Sequence, residues 1–236
     1  SSLQSFYNRF PTIENFENQI KEKQQNFNSN IREIVVTVLN EQYENISVSE
    51  LTKNNIASIL EENTFTITTG HQLNLFTGPL YFLYKIISTI KLTTELKKKY
   101  PNYNFVPIYW MATEDHDFEE INYFNFKGKK FKWDKESTGP VGRLSTEGLQ
   151  EILSIFEIEL GSGLNAVELR KLFESAYANT DTLANATRKL ANDLFGGRGL
   201  VIIDADDSEL KSQFIPHIRE ELLKNTSYKC VSKTVE

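Results

Sequence analysis

Stretches whose apolar residues recur every three to four positions alternate along the chain with short β-branched or aromatic runs, a pattern that predicts a mixed α/β fold. After Pro11, with Thr12 as cap, Phe16, Ile20, Phe27, Ile31, Ile34 and Val38 form a helical stripe, which the asparagine-rich stretch 26–30 interrupts. Ser49 opens a shorter helix through Leu51, Ile56, Ile59 and Leu60. The run Thr64–Thr69 predicts a strand. A loop bearing Gly70 and Gly78 follows, and Pro79 suits the first position of a helix reaching about Tyr100. Leu80, Leu83, Ile87 and Ile90 share one stripe of that helix, while Tyr81, Phe82, Tyr84 and Ile86 cover most of the rest. Burial on several sides is therefore expected. Phe105–Met111 reads as a second core strand, although Pro107 is unusual inside a sheet.

Strand, glycine loop, helix and strand make a βαβ unit with an expected right-handed connection. Residues Tyr123–Trp133 alternate around Lys127–Gly128 and predict a hairpin. Three amphipathic helical stretches follow: one from Thr146, one near Val167–Tyr177, and one after Asp181. Leu200–Ile203 is a third core strand ending in Asp204, and Asp207 or Ser208 caps a last helix to about Lys224. The organisation expected is an N-terminal helical segment (1–62) packed on an α/β core (63–236). That core is a parallel sheet flanked by helices, with a hairpin and helices inserted at about 123–195.

Composition narrows the function. With 39% hydrophobic residues in 236, the chain can build one large core, or a core carrying an insertion. The longest apolar run is broken by Lys85 and is too short to span a membrane. No basic–apolar–small-residue leader opens the chain. The single Cys230 excludes a disulfide framework or a cysteine-ligated zinc site within it, and a reducing, cytoplasmic setting is expected. A net charge of −6, with Lys and Arg scattered among acids, leaves no basic face for nucleic acid.

In open parallel sheets ligands bind beyond the carboxyl ends of the strands. Three polar clusters fall at such positions: Thr68-Thr69-Gly70-His71-Gln72, Glu114-Asp115-His116-Asp117 and Asp204-Ala205-Asp206-Asp207. The first suits phosphate or carboxylate, since backbone N–H groups near a helix start attract anions and histidine can donate a hydrogen bond there. It matches neither the dinucleotide nor the P-loop pattern. In the second, an extended backbone would put Asp115 and Asp117 on similar sides with His116 opposite. That group can orient an amine, act as a general base, or hold Mg²⁺ through its carboxylates. Asp204 can contact a ribose or amine, whereas Asp206 and Asp207 read as ordinary helix-cap residues. Lys85 either reaches an anion or extends to water, and His217, mid-helix, reads as structural. The set of candidates is His71, Asp115, His116 and Asp117 for catalysis, with Thr69, Gly70, Gln72, Asn74, Lys85, Trp110, Glu114 and Asp204 for substrate binding and no dedicated metal site. It requires these stretches to converge at one sheet edge, so that His71 and the acids 114–117 face a shared cavity.

Three ordered stretches resemble the BshC family of cysteine ligases: T-G-H-Q-L-N-L-F-T-G-P-L-Y-F-L-Y (Thr69–Tyr84), V-P-I-Y-W-M-A-T-E-D-H-D-F-E-E-I-N (Val106–Asn122), and Leu194–Gly196 through Gly199–Asp204 with Lys211 following. The resemblance implies a Rossmann-like core acting in bacillithiol synthesis, where cysteine is joined to glucosaminyl-malate as an amide. ATP is expected as the activator of the cysteinyl carboxylate, Mg²⁺ is possible, and Gly70 and His71 would steady phosphate charge. It also implies a longer protein with a C-terminal coiled-coil part, this chain covering about its first half, and a homodimer only at full length. Two other readings of the same clusters are a metal-assisted hydrolase using Asp115, His116, Asp117 and Asp204, and a binding domain without chemistry.

Overall fold

In the computed structural model, which describes residues 3–235, the first helical stripe divides at its asparagines into α1 (Phe16–Asn26) and α2 (Asn30–Gln42). Thr12 does not cap α1. A 3-10 turn, Ile13–Asn15, comes between them, and the Thr12 side chain makes no capping bond. α3 (Glu50–Ser58) begins as expected at Ser49, whose Oγ accepts from the Thr52 N–H at 3.0 Å.

β1 (Thr64–His71), α4 (Leu80–Lys99) and β2 (Asn104–Met111) form the βαβ unit. β1 runs two residues past its β-branched stretch. Gly70 and His71 pair with Trp110 and Met111, so they end the strand and do not belong to the loop. After a one-turn α5 (Phe118–Ile121), β3 (Tyr123–Phe126) and β4 (Lys129–Lys132) make the hairpin. Lys127 and Gly128 turn it at φ 49° and 77°. Then come α6 (Leu149–Leu160), α7 (Leu164–Tyr177), α8 (Leu183–Phe195) and β5 (Val201–Asp204). The last helix is not continuous. It divides into α9 (Ser208–Ser212), α10 (Ile215–Lys224) and α11 (Thr226–Val235). Pro216 lacks the N–H that a continuous helix needs and so begins a new first turn, and Asn225 breaks the chain again at φ 50°.

The three-stranded sheet has the order β1-β2-β5, all parallel. Pro107 fits because β5 begins opposite Ile108. The N–H groups of Asn104 and Ala112 donate towards β1, so by alternation the Pro107 nitrogen faces β5's side, where no partner strand has yet begun. The main core joins this sheet to α2, α3, α4 and α8 through Leu39, Ile56, Ile86, Tyr109, Leu190's neighbour Ala191 and Ile202. A second core belongs to the hairpin and α6–α8, and it also takes in Leu73, Leu75 and Phe76 from the β1–α4 connection. α4 is buried on one side only. Phe82, Ile86 and Leu96 face inward, while Leu80, Tyr81 and Tyr84 are each 61% exposed, against the expectation of burial all round. The sheet is its main neighbour, and a flat layer covers one face of a helix. Among the described residues no helix is long and apolar enough to cross a membrane.

Candidate functional site

The carboxyl ends of β1, β2 and β5 bring all three polar clusters to one edge of the sheet, where Met111 pairs with His71 on one side and Asp204 on the other. After β2 the backbone does not stay extended. The N–H of Asp115 donates to the Ala112 carbonyl at 3.3 Å, closing a turn, and Asp115 Oδ1 accepts from the Asp117 N–H at 3.0 Å. The alternation expected of 114–117 is therefore absent. Asp115 turns inward, while His116 and Asp117 stand exposed.

Gln72 joins the first cluster to the second. Its Nε2 donates to Asp115 Oδ2 at 3.0 Å and to Glu120 Oε2 at 2.7 Å. Those hydrogen bonds, the Asp117 N–H first and Gln72 next, hold the Asp115 carboxyl below its usual range, so it stays ionised. Asn74 is close by, its Nδ2 3.5 Å from the Glu120 carbonyl. His71 is half-buried between Tyr81 and Phe82 of α4's first turn, with ring centroids 5.7 and 5.5 Å away. Its Nδ1 lies 3.1 Å from the Gln72 carbonyl and must be the donor there. Desolvation pushes its pKa down, which keeps the ring neutral at physiological pH.

At the β5 side, Asp204 Oδ1 accepts from the Thr113 hydroxyl and from the Asp206 N–H, tying β5 to β2 beyond the ladder. Asp206 is not a cap. Its nearly buried carboxylate takes Arg143 Nε and Nη2 at 2.5 and 2.9 Å and also binds Lys211, which reaches Glu114 at 3.3 Å. Arg143, first among these partners, holds the Asp206 carboxyl below its usual range. Only Asp207 caps α9. Arg143, Thr113 and Asp206 were not among the candidates. Arg143 comes from the inserted region, far along the chain, and no local pattern marks it.

Lys85 does not extend freely to water. Its Nζ donates to the Gly70 carbonyl and lies 5.0 Å from the Tyr81 ring centroid. Thr69 shares His71's face of β1, the one packed against α4, by strand alternation. Trp110 points to the opposite face, into an apolar groove of about 330 Å³ walled by Phe27, Val35, Ile59 and Thr68. That groove includes neither His71 nor Asp115 among its walls, so it is separate from the polar edge. Among the described residues no group of three or more His, Cys, Asp or Glu is arranged to hold a metal ion.

A parallel α/β sheet with its polar residues gathered at the strand ends defines a Rossmann-like domain. The model of the Bacillithiol biosynthesis BshC, N-terminal Rossmann-like domain family matches residues 1–236, and the chain belongs to that family. It is 67% identical over its whole length to a protein of Flavobacterium johnsoniae named "Putative cysteine ligase BshC", of which it covers 45%. Proteins of the same name from Flavobacterium psychrophilum and Christiangramia forsetii are 59% and 56% identical over 99% of the chain, which covers 44% of each. The chain thus spans a little under half the length of these curated relatives.

Proposed function

We propose that this domain carries the reacting edge of an ATP-dependent ligase that joins the carboxylate of cysteine to the amine of glucosaminyl-malate, completing bacillithiol. The observation that carries the reading is the Gln72 bridge, which ties the end of β1, where neutral His71 sits, to the turn after β2 that holds ionised Asp115. Two further features support it. Gly70 has an ordinary negative φ, and a Cβ there would meet nothing closer than the Trp110 carbonyl at 3.7 Å. The fold itself does not require glycine at this position, whereas a ligand approaching the strand end would. The cations Arg143 and Lys211 stand at the same edge.

In this reading ATP, when bound, supplies the activation that a carboxylate needs before an amine can attack it. The α4 N-terminus and the Lys211 and Arg143 side chains are the groups that fit its phosphates, while neutral His71, its N–H already given to the Gln72 carbonyl, offers Nε2 as a hydrogen-bond acceptor to the substrate. Asp115, held ionised, pairs with the cysteine ammonium and orients the carboxylate. The acceptor amine arrives over the exposed residues His116 and Asp117, and the His116 imidazole takes the proton it sheds. Thr69, Asn74, Glu114 and Asp204 shape the surrounding edge, with Asp204 acting through Thr113.

The test is reconstitution of the full-length enzyme with cysteine, glucosaminyl-malate and ATP, with the product thiol measured after labelling. His71→Ala and Asp115→Asn are each expected to lower turnover by about 10²–10³-fold. Unchanged turnover in both variants sinks the assignment of roles. A deletion strain that makes bacillithiol normally sinks the pathway step.

A further inference from the structure

The two edges of the sheet are finished differently. Along β5 every outward-facing backbone group of the paired stretch is bonded to a side chain. The Ile202 N–H donates to Tyr43 Oη at 2.7 Å, and the Ile202 carbonyl accepts from Arg188 Nη1 at 2.8 Å. Gln42 closes the Asp204 peptide, accepting from its N–H at 2.9 Å and donating to its carbonyl at 3.0 Å. Thr52 and Asn55 do the same for the carbonyls of Leu200 and Gly199. No strand can be added there without displacing this row.

On β1 the carbonyls of Asn63 and His71 accept from the N–H groups of Asn104 and Ala112. Peptide groups alternate along a strand, so Thr66, Thr68 and Gly70 face away from β2. Arg32 takes the Thr64 carbonyl at 3.0 Å and Lys85 takes that of Gly70. Between them, among the described residues, the N–H and C=O of Thr66 and Thr68 and the N–H of Gly70 have no partner, and both threonines are exposed. The apolar groove lined by Phe27, Ile31, Val35 and Trp110 runs beside this open row. A bare strand edge next to uncovered apolar surface is a template for another strand.

We propose that a β-strand from the part of the full-length chain outside these 236 residues pairs with the outer edge of β1 at Thr66, Thr68 and Gly70. In the relatives more than half of the chain lies outside the stretch matched here, so such a segment is available in the same molecule. A second copy of β1 fits less well. Antiparallel self-pairing about Ile67 would bring Lys85 of one copy beside Arg32 of the other, and like charges facing across a ladder oppose it. Since β5's edge is closed, the sheet grows only on β1's side. β1 becomes an interior strand, and Gly70 and His71 come to lie at the point where strand order reverses, with a crevice beside them. This inference stands on the open strand edge and the groove beside it and does not depend on the ligase reading.

Residue-resolved amide exchange on the full-length protein tests it. The amides of Phe65 and Ile67, which face β2, report an ordinary ladder. Those of Thr66, Thr68 and Gly70 are expected to be slowed at least ~100-fold relative to unprotected amides, at every protein concentration. Free exchange at Thr66 and Thr68 beside protected Phe65 and Ile67 overturns the proposal. So does protection that develops only as concentration rises, which would assign the edge to a second copy. In the same protein, Thr68→Pro removes one outward N–H and should lower Tm, while Thr68→Ala, which keeps it, should not. Equal Tm values for the two also overturn the proposal.

Discussion

The side-chain nitrogen of Gln72 lies 3.0 Å from Oδ2 of Asp115 and so fixes the end of one strand to the turn after the next. The same nitrogen holds Glu120 at 2.7 Å, so a single neutral amide separates two carboxylates. Gln72→Met, which keeps the length and removes the donor, should free Asp115 and bring its pKa nearer the ordinary carboxylate value. In the full-length enzyme kcat/KM should fall by about tenfold or more, as expected of a misplaced orienting group. Gln72→Glu should do more harm, since it sets a third carboxylate among two. Steady-state kinetics of the two variants check the order, and a Gln72→Glu enzyme as active as wild type would contradict it.

The shifted groups also set how stability depends on pH. The folded-state pKa of His71 is depressed below its ordinary value of 6.5, chiefly by desolvation. Below 6.5 the unfolded chain therefore binds the proton first, and stability falls as pH drops through the lower, folded value. Asp115 and Asp206 are depressed from an ordinary value of 3.8, by hydrogen bonds from the Asp117 N–H and from Arg143 first in each case. Their contributions are present above 3.8 and are lost only in stronger acid. Urea midpoints across pH 7 to 3 should show two separate declines, with His71→Gln flattening the upper one and Asp206→Asn the lower. His71→Gln leaving the upper decline untouched would show that another group causes it.

Most of the frame was legible from periodicity, because a strand or helix that buries one face must repeat at its own period. The Ser49 cap and the Lys127–Gly128 turn work through neighbours within three residues, and local pattern is enough to find those. The turn at Thr113–Asp115 was not legible. It is held from outside by Val141 and Gly142, whose N–H groups donate to the Asp115 and Thr113 carbonyls at 2.7 and 2.9 Å. The extended reading of 114–117 failed for that reason. The pairing of Asp206 with Arg143 was hidden for the same cause, since the partners are brought together by tertiary folding. Of the site, the residues at the strand ends were readable, and the contacts that orient them were not.

Phe76 takes φ 52° and ψ 40°, a left-handed conformation costly for a bulky residue. Its ring packs on Phe124, Phe173 and Tyr177 at 4.7–4.9 Å, and its buried N–H donates to Tyr177 Oη at 2.9 Å. The inserted core thus holds the β1–α4 connection in a shape it would not keep alone. Phe76→Ala should cost about 3–5 kcal/mol through the lost ring. Phe76→Gly should be the more stable of the two by about 1 kcal/mol, because glycine has no left-handed penalty. Tyr177→Phe should cost about 1–3 kcal/mol by leaving the Phe76 N–H buried and unpaired. Urea unfolding measures all three, and an alanine variant more stable than the glycine one would refute the strain.

Gly142 carries the last link between the insertion and the site. A Cβ placed there would lie 2.6 Å from Thr113 Cβ and 3.0 Å from its Cα, far inside contact distance and against backbone. Thr113 in turn donates to Asp204, and its carbonyl accepts the Gly142 N–H. Gly142→Ala must therefore displace the Thr113–Asp115 turn, at a cost of about 1–3 kcal/mol for overpacking. Gly163→Ala is the matched control, since a Cβ there meets nothing within 4 Å and φ is an ordinary −66°. If the turn presents Asp115 to substrate, Gly142→Ala should raise KM for cysteine in the full-length enzyme at temperatures where the protein stays folded, while Gly163→Ala leaves it unchanged. Equal KM values for the two would mean that the insertion supports the fold of this edge without setting its geometry.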